Sequence, residues 1–123
     1  MTNTQTTPPE PSPQLPESIE QIVDAARDKK AENVLVLDLR PANAFTDHFV
    51  ICSGRSRRQV ISISESIEER LKQIGRRPAH IEGVGTDWVL IDCFDCLIHV
   101  FTLEARDFYA LERLWGSAER VEI

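Results

Sequence analysis

The sequence has no long apolar run, and this absence excludes a membrane-spanning helix. One of its longest aliphatic stretches is the four residues 34–37, whereas a helix that crosses a bilayer needs about 18 apolar residues. The first lysine or arginine is Arg27, and no apolar segment precedes it. The N-terminus therefore matches neither a secretory signal nor an arginine-rich transit peptide. We expect a protein of the cytoplasm that makes no contact with a membrane.

Cysteine is also scarce, with Cys52, Cys93 and Cys96 as the only three. An odd number of cysteines without a secretory signal argues against a disulfide framework. Cys93 and Cys96 form a C-x-x-C pair with His99 three residues further on, from which a zinc site can be drawn. Both cysteines end apolar runs, however, where cysteine behaves as a small hydrophobic residue. We expect reduced thiols in the core, with no metal and no other cofactor.

Positive charge is in the minority, with 14 Lys and Arg against 20 Asp and Glu and a formal net charge of −6. Such a chain is unsuited to non-specific binding of polyanions and suits a basic partner. Residues 55–77 hold seven basic and three acidic side chains, whereas 78–123 hold three basic and nine acidic. This distribution allows one basic and one acidic surface, although charged side chains often only solvate the outside of a fold.

The patterned apolar residues that are present suffice for one domain. Residues 1–17 hold five of the seven prolines and predict a disordered tail, which leaves 18–123 as a single domain. Helical spacing of apolar residues predicts helices over 18–30, 56–74 and 105–115. Short apolar runs predict strands over 33–39, 49–52, 78–82, 88–93 and 96–103. This order predicts an α/β fold in which helices flank a mixed five-stranded sheet.

The segment Gly54-Arg55-Ser56 lies between a predicted strand and a predicted helix, where free backbone N–H groups favour an anion. In nucleotidyltransferases a Gly-Ser pair at such a junction works with carboxylates that hold Mg²⁺. Asp47 and Asp92 are the candidates for that role, so a nucleotidyltransferase-like, magnesium-dependent enzyme is the alternative function. A capped helix with a basic first turn explains the same residues without chemistry. A nucleic-acid binder would instead use the arginines Arg55, Arg57, Arg58, Arg76 and Arg77.

Strand alternation places chemistry-bearing side chains on one face of the predicted sheet. Trp88, Leu90 and Asp92 share one face of their strand, and Leu97, His99 and Phe101 share one face of the next. We expect a hydrogen bond between His99 and Asp92 that braces the sheet, because no nucleophile stands where it would make them an acid–base pair. The last third of the chain also collects aromatic and acidic residues, which are typical of a protein-binding face.

Several segments together resemble the ribosomal silencing factor family, RsfS, also called Iojap. The resemblance covers about residues 19–115 and depends on many fixed spacings. The matching segments are FTDHFVICSG at 45–54, RQV at 58–60, DWVLID at 87–92, HVF at 99–101, AR at 105–106, FY at 108–109 and LERLW at 111–115.

The resemblance implies a translation regulator that is not an enzyme. Members of the family bind ribosomal protein L-fourteen on the large subunit and so block joining of the small subunit when nutrients are limited. It also implies a nucleotidyltransferase-like topology without catalytic residues, and leaves a homodimer and a contact between 55–58 and ribosomal RNA as open expectations. Matched to the family's motifs, the partner-binding residues are expected to be Trp88, Leu90, Asp92, His99, Phe101 and Tyr109.

Within that expected site, Trp88 would be the apolar anchor and Asp92 an acceptor for a basic side chain. The sequence departs from the family at the hairpin between the last two predicted strands. Phe94 stands there in the usual glycine position, flanked by Cys93 and Cys96, which are not family features. A phenylalanine is a poor residue for the positive φ of a two-residue hairpin turn.

Overall fold

The computed structural model describes residues 15–42, 44–116, 118–121 and 123. Its helices are α1 (Glu17–Asp28), α2 (Arg57–Gln73), α3 (Leu103–Tyr109) and α4 (Leu111–Leu114). Its strands are β1 (Glu32–Asp38), β2 (His48–Gly54), β3 (His80–Glu82), β4 (Trp88–Asp92), β5 (Cys96–Thr102) and β6 (Glu119–Val121). The strands form one sheet in the order β3-β4-β5-β2-β1-β6, in which β2 and β5 run parallel and the other neighbours antiparallel. The expected mixed α/β fold is confirmed.

Helices α1 and α2 cover one face of the sheet. Helix α2 begins where predicted, because the Ser56 hydroxyl accepts a hydrogen bond of 3.1 Å from the backbone N–H of Gln59. It ends at Gln73, shortly before Gly75, whose φ of +74° lets the N–H of Arg76 reach the carbonyl of Leu71 at 2.7 Å. The apolar stripes of both helices meet the sheet in one large buried cluster. This face is closed to solvent along its length.

The opposite face is covered only in part. Helix α3 packs on β2 and β5, and with α4 it closes a smaller cluster around Phe49, Ile51 and Phe101. Strands β3 and β4 lie beyond these two short helices. The second face of the sheet is therefore open along its β4 side.

The structure corrects two details of the predicted elements. The sheet has six strands and not five, because β6 pairs antiparallel with β1. The predicted helix 105–115 is wrong as a single element, since Ala110 has a φ of +47° and separates α3 from α4. Strand β6 has three residues, of which two are charged, so it gave no hydrophobic pattern that sequence reasoning could detect.

The predicted tail falls almost entirely on residues 1–14, which lie outside the described residues. Leu15 is half-buried and packs against the larger cluster, and α1 begins at Glu17, one residue before its predicted start. Within the described ranges, no helix combines the length and the apolar character that crossing a membrane requires.

Candidate partner-binding surface

Four half-buried side chains form a strip on the uncovered part of the sheet. They are Trp88, Leu90 and Asp92 of β4 and Leu97 of β5, and we call this strip the open sheet face. The register pairs Leu90 with His99 and Asp92 with Leu97, and directly opposed residues share a face. The shared face predicted from strand alternation is therefore confirmed.

Two of the expected site residues lie under this strip and are not part of its surface. Phe101 is 0% exposed and His99 is 4% exposed, so neither side chain is open to direct contact. Trp88 packs in a tilted arrangement against Phe101, with ring centroids 4.9 Å apart, and against Tyr109 at 4.7 Å. Tyr109 is exposed and closes one end of the strip. The buried aromatic residues thus act as a floor that orients Trp88.

A hydrogen bond fixes the indole of Trp88 to this floor. Trp88 Nε1 donates to Nδ1 of His99 at 3.1 Å, which requires that Nδ1 carries no proton. Burial lowers the pKa of His99 to about 4, so the imidazole is neutral at physiological pH. Its Nε2 is buried and has no hydrogen-bond partner among the described residues.

The predicted hydrogen bond between His99 and Asp92 is wrong. Asp92 stands opposite Leu97 in the register, and its Oδ1 accepts from the backbone N–H of Phe94 at 2.9 Å. The two residues therefore cannot work as an acid–base pair in this arrangement. The second carboxylate oxygen of Asp92 makes no hydrogen bond within the described residues, which suits an acceptor for a partner's basic side chain.

A tight turn sets the position at which β4 begins. Gly83 has a φ of +83°, and a Cβ there would overlap the carbonyl oxygen of Trp88. The Thr86 N–H donates to the Gly83 carbonyl at 2.9 Å and closes the turn. Only glycine fits this position, and the turn places Trp88 beside a groove lined by Asp87, Glu104 and Phe108.

Three of the five arginines that suggested a nucleic-acid surface pair with carboxylates. Arg55 pairs with Glu32, Arg57 with Asp87 at 2.7 Å, and Arg76 with Asp95 at 3.0 Å. The basic segment and the acidic C-terminal half of the sequence therefore meet in the fold instead of forming two separate charged surfaces. This pairing reduces the positive charge that these three arginines could offer to a phosphate backbone.

The Gly54-Arg55-Ser56 junction is filled by the protein's own groups. Gln59 Oε1 accepts the N–H of Arg55 at 2.6 Å, and the Gln59 N–H is taken by the Ser56 hydroxyl. A Cβ on Gly54 would lie 3.2 Å from the Val60 nitrogen, so close packing of α2 against β2 explains this glycine. The junction is a capped helix start, in which the protein's own side chains already occupy the N–H groups of Arg55 and Gln59.

The two carboxylates of the enzyme alternative lie at the wrong end of the sheet. Asp47 precedes β2, and Asp92 stands beside Leu97, which is opposite Phe49 near the start of β2. Gly54 is the last residue of β2, about 20 Å away at 3.3 Å per residue. A phosphate at Gly54 could not reach Mg²⁺ held by these carboxylates, so the magnesium-dependent arrangement is contradicted.

The three cysteines lie in the larger buried cluster. Burial raises the pKa of Cys52 to about 12 and that of Cys93 to about 11. Within the described residues, no three His, Cys, Asp or Glu side chains gather in a way that could hold a metal ion. The C-x-x-C pair belongs to the packing of the β4–β5 hairpin.

Comparison with known proteins decides the family. The family model described as "Ribosomal silencing factor during starvation" matches residues 12–123. The chain belongs to this family. The ribosomal silencing factor RsfS of Halalkalibacterium halodurans is 38% identical over 108 residues, which are 87% of this chain and 92% of that protein. The RsfS of Zymomonas mobilis is 39% identical over 99 residues, 80% of this chain and 74% of that protein.

The fold agrees with a solved structure of similar sequence. A crystal structure of a protein from Chromobacterium violaceum superposes with a TM-score of 0.78 at 31% identity, covering 81% of this chain and 84% of that one. The resemblance drawn from the sequence is thereby confirmed as family membership.

Sequence reasoning omitted two contributors to this region, half-buried Leu97 and exposed Phe45. Leu97 was placed on the correct face but left out of the predicted site, although its alternation with His99 gave the signal. Phe45 is 72% exposed and lies against Phe49 and Trp115, with ring centroids 6.2 and 6.5 Å apart. Nothing in the local sequence distinguishes an exposed loop phenylalanine from a buried one.

Proposed function

We propose that this chain binds the large ribosomal subunit through protein L-fourteen and sterically blocks joining of the small subunit, so that translation falls when nutrients are limited. It acts by occupying a surface and not by catalysis. The observation that carries this proposal is the open sheet face, a half-buried apolar strip on a sheet whose other face is fully packed.

The chemistry of the strip suits a basic protein partner. Trp88, Leu90 and Leu97 supply apolar area next to the carboxylate of Asp92, and aromatic anchors with a few charged groups are typical of interface hot spots. A chain with a net charge of −6 attracts a basic surface at long range. The names of the relatives, ribosomal silencing factors, support a ribosomal target.

The test is sedimentation of purified large and small subunits with three forms of the protein. Leu90→Arg places a positive charge in the open sheet face, where it would repel a basic partner. Gln73→Arg makes the same charge change at an exposed position at the end of α2, away from the strip. Both substitutions leave the buried floor of the strip unchanged.

We expect the wild type and Gln73→Arg to travel with large subunits and to reduce the fraction of joined ribosomes. Leu90→Arg should lose both effects while its thermal melting stays close to wild type. A wild-type protein that stays at the top of the gradient would refute the proposal. A Leu90→Arg form that still binds large subunits would refute the placement of the contact. The homodimer implied by the resemblance and the cytoplasmic location expected from the N-terminal sequence stay predictions.

A further inference from the structure

The tip of the β4–β5 hairpin holds a strained residue. Phe94 has a φ of +70°, in the region that favours glycine. The N–H of Asp95 donates to the carbonyl of Cys93 at 2.8 Å, which makes Phe94 the centre of a three-residue γ-turn. That turn with a positive φ is rare and unfavourable for a residue with a side chain.

The backbone of this tip is held firmly from several sides. Asp92 Oδ1 accepts the Phe94 N–H, and the Thr46 hydroxyl donates to the Phe94 carbonyl at 3.1 Å. The backbone N–H of Asp47 donates to the carbonyl of Asp95, whose carboxylate also binds Arg76 at 3.0 Å. These contacts use only the backbone of Phe94 and the polar groups around it. They would persist with any residue at this position.

The ring of Phe94 contributes nothing to the core. It is 80% exposed and belongs to neither buried cluster. The fold therefore carries both a strained backbone and an exposed aromatic ring at a place where glycine would avoid both. Because packing of the ring does not offset the backbone strain at Phe94, the residue is expected to have a role outside the folded monomer.

The surroundings of the ring indicate what it would meet. Asp92 belongs to the open sheet face, so the tip continues that strip. Asp92 and Asp95 lie on either side of Phe94 in the turn, and the backbone of Asp47 contacts that of Asp95. Among the described residues, Arg76 pairs with the carboxylate of Asp95. Three carboxylates disfavour the phosphates of RNA and favour a basic protein surface.

We propose that the Phe94 ring inserts into an apolar pocket on a basic protein surface of the large ribosomal subunit and extends the contact of the open sheet face. This inference rests on the proposed function, and it adds a second anchor at the end of the strip. The contact depends on a large apolar side chain at the hairpin tip.

The test compares Phe94→Gly and Phe94→Leu with wild type in thermal melting and in affinity for purified large subunits. Leu114→Ala is the control, because Leu114 is 75% exposed on α4 and its removal takes away a similarly exposed apolar side chain. Phe94→Gly should melt at or above the wild-type temperature, since glycine accepts the positive φ. Its affinity should fall about tenfold, whereas Phe94→Leu and the control should stay within about threefold, as expected for one apolar anchor.

Each other result counts against the inference. Phe94→Gly binding as tightly as wild type would overturn it while the proposed function stands, whereas wild type failing to bind would defeat both. A Phe94→Gly form that melts well below wild type would show that the ring supports the fold. Sedimentation velocity of the protein alone tests whether the ring contacts a second copy of this chain. A wild-type dimer that becomes a monomer in Phe94→Gly would show that the ring serves self-association. If wild type binds protein-free ribosomal RNA and Phe94→Gly does not, the ring contacts RNA and the inference is wrong.

Discussion

The two faces of the sheet carry similar apolar residues but are covered very differently. On β4, Ile91 and Leu90 are neighbours that point to opposite faces. Ile91 is fully buried on the face that α2 covers, while Leu90 is half-exposed. The alternation of the strand is the same on both sides, so the difference comes from what lies on top of it.

Helix length explains this difference. Helices α1 and α2 have 12 and 17 residues, about 18 and 26 Å at 1.5 Å per residue, and they span the sheet. Helices α3 and α4 have 7 and 4 residues and reach only its middle strands. A sheet covered on one side and partly on the other has a large buried cluster on the first side, and on the second a smaller cluster beside a strip available to a partner.

The largest difference between the two faces is expected when the Ile91 side chain is removed from the covered face. Ile91→Ala leaves a cavity in the larger cluster and should cost about 4 kcal/mol of unfolding free energy. Urea denaturation monitored by tryptophan fluorescence measures it. A loss below about 1 kcal/mol would mean that the covered face is looser than the structure shows.

The next largest effect is a loss of stability at acid pH, caused by His99 in the floor of the open sheet face. Burial lowers the pKa of His99 from 6.5 to about 4, so below pH 6.5 the unfolded chain binds a proton that the folded chain does not. Stability is therefore complete above pH 6.5 and falls by about 3 kcal/mol as the pH approaches 4. Denaturation at a series of pH values measures this loss.

His99→Gln is the control for the acid effect, because glutamine can accept the Trp88 N–H and does not titrate. It should flatten the slope of stability against pH. Part of the slope remains, since burial also lowers the pKa of His48. A His99 resonance that titrates near pH 6.5 by NMR would instead show that water reaches the floor of the strip.

The smallest effect on stability is expected at Leu90. Its stability loss is to be compared with that of its neighbour Ile91, which lies on the opposite face. Leu90→Ala removes a half-exposed side chain and should cost less than about 1 kcal/mol of unfolding free energy. Its affinity for large subunits should nevertheless fall, whereas destabilised Ile91→Ala should bind normally at temperatures where it is folded. Equal stability losses at the two positions would remove the distinction between the faces.

Much of the fold followed from local pattern. The period-2 alternation of Trp88, Leu90 and Asp92 assigned the strip to one face, and the Ser56 cap with Gly75 bounded α2. The break at Ala110 was missed because alanine favours helix and its positive φ depends on how α3 and α4 dock. Strand β6 was missed because its pairing with β1 joins segments about 80 residues apart.

The amino-acid sequence alone determined which residues lie on the same side of each strand and helix, because backbone geometry repeats every 2 or 3.6 residues regardless of context. It also carried the family resemblance, which the comparisons confirmed. Only the tertiary structure decided that Trp88 and not Asp92 bonds His99, that Asp92 lies far from Gly54, and that one half of one face stays uncovered. Those outcomes depend on strand order and on the reach of helices distant in sequence, which no local pattern encodes.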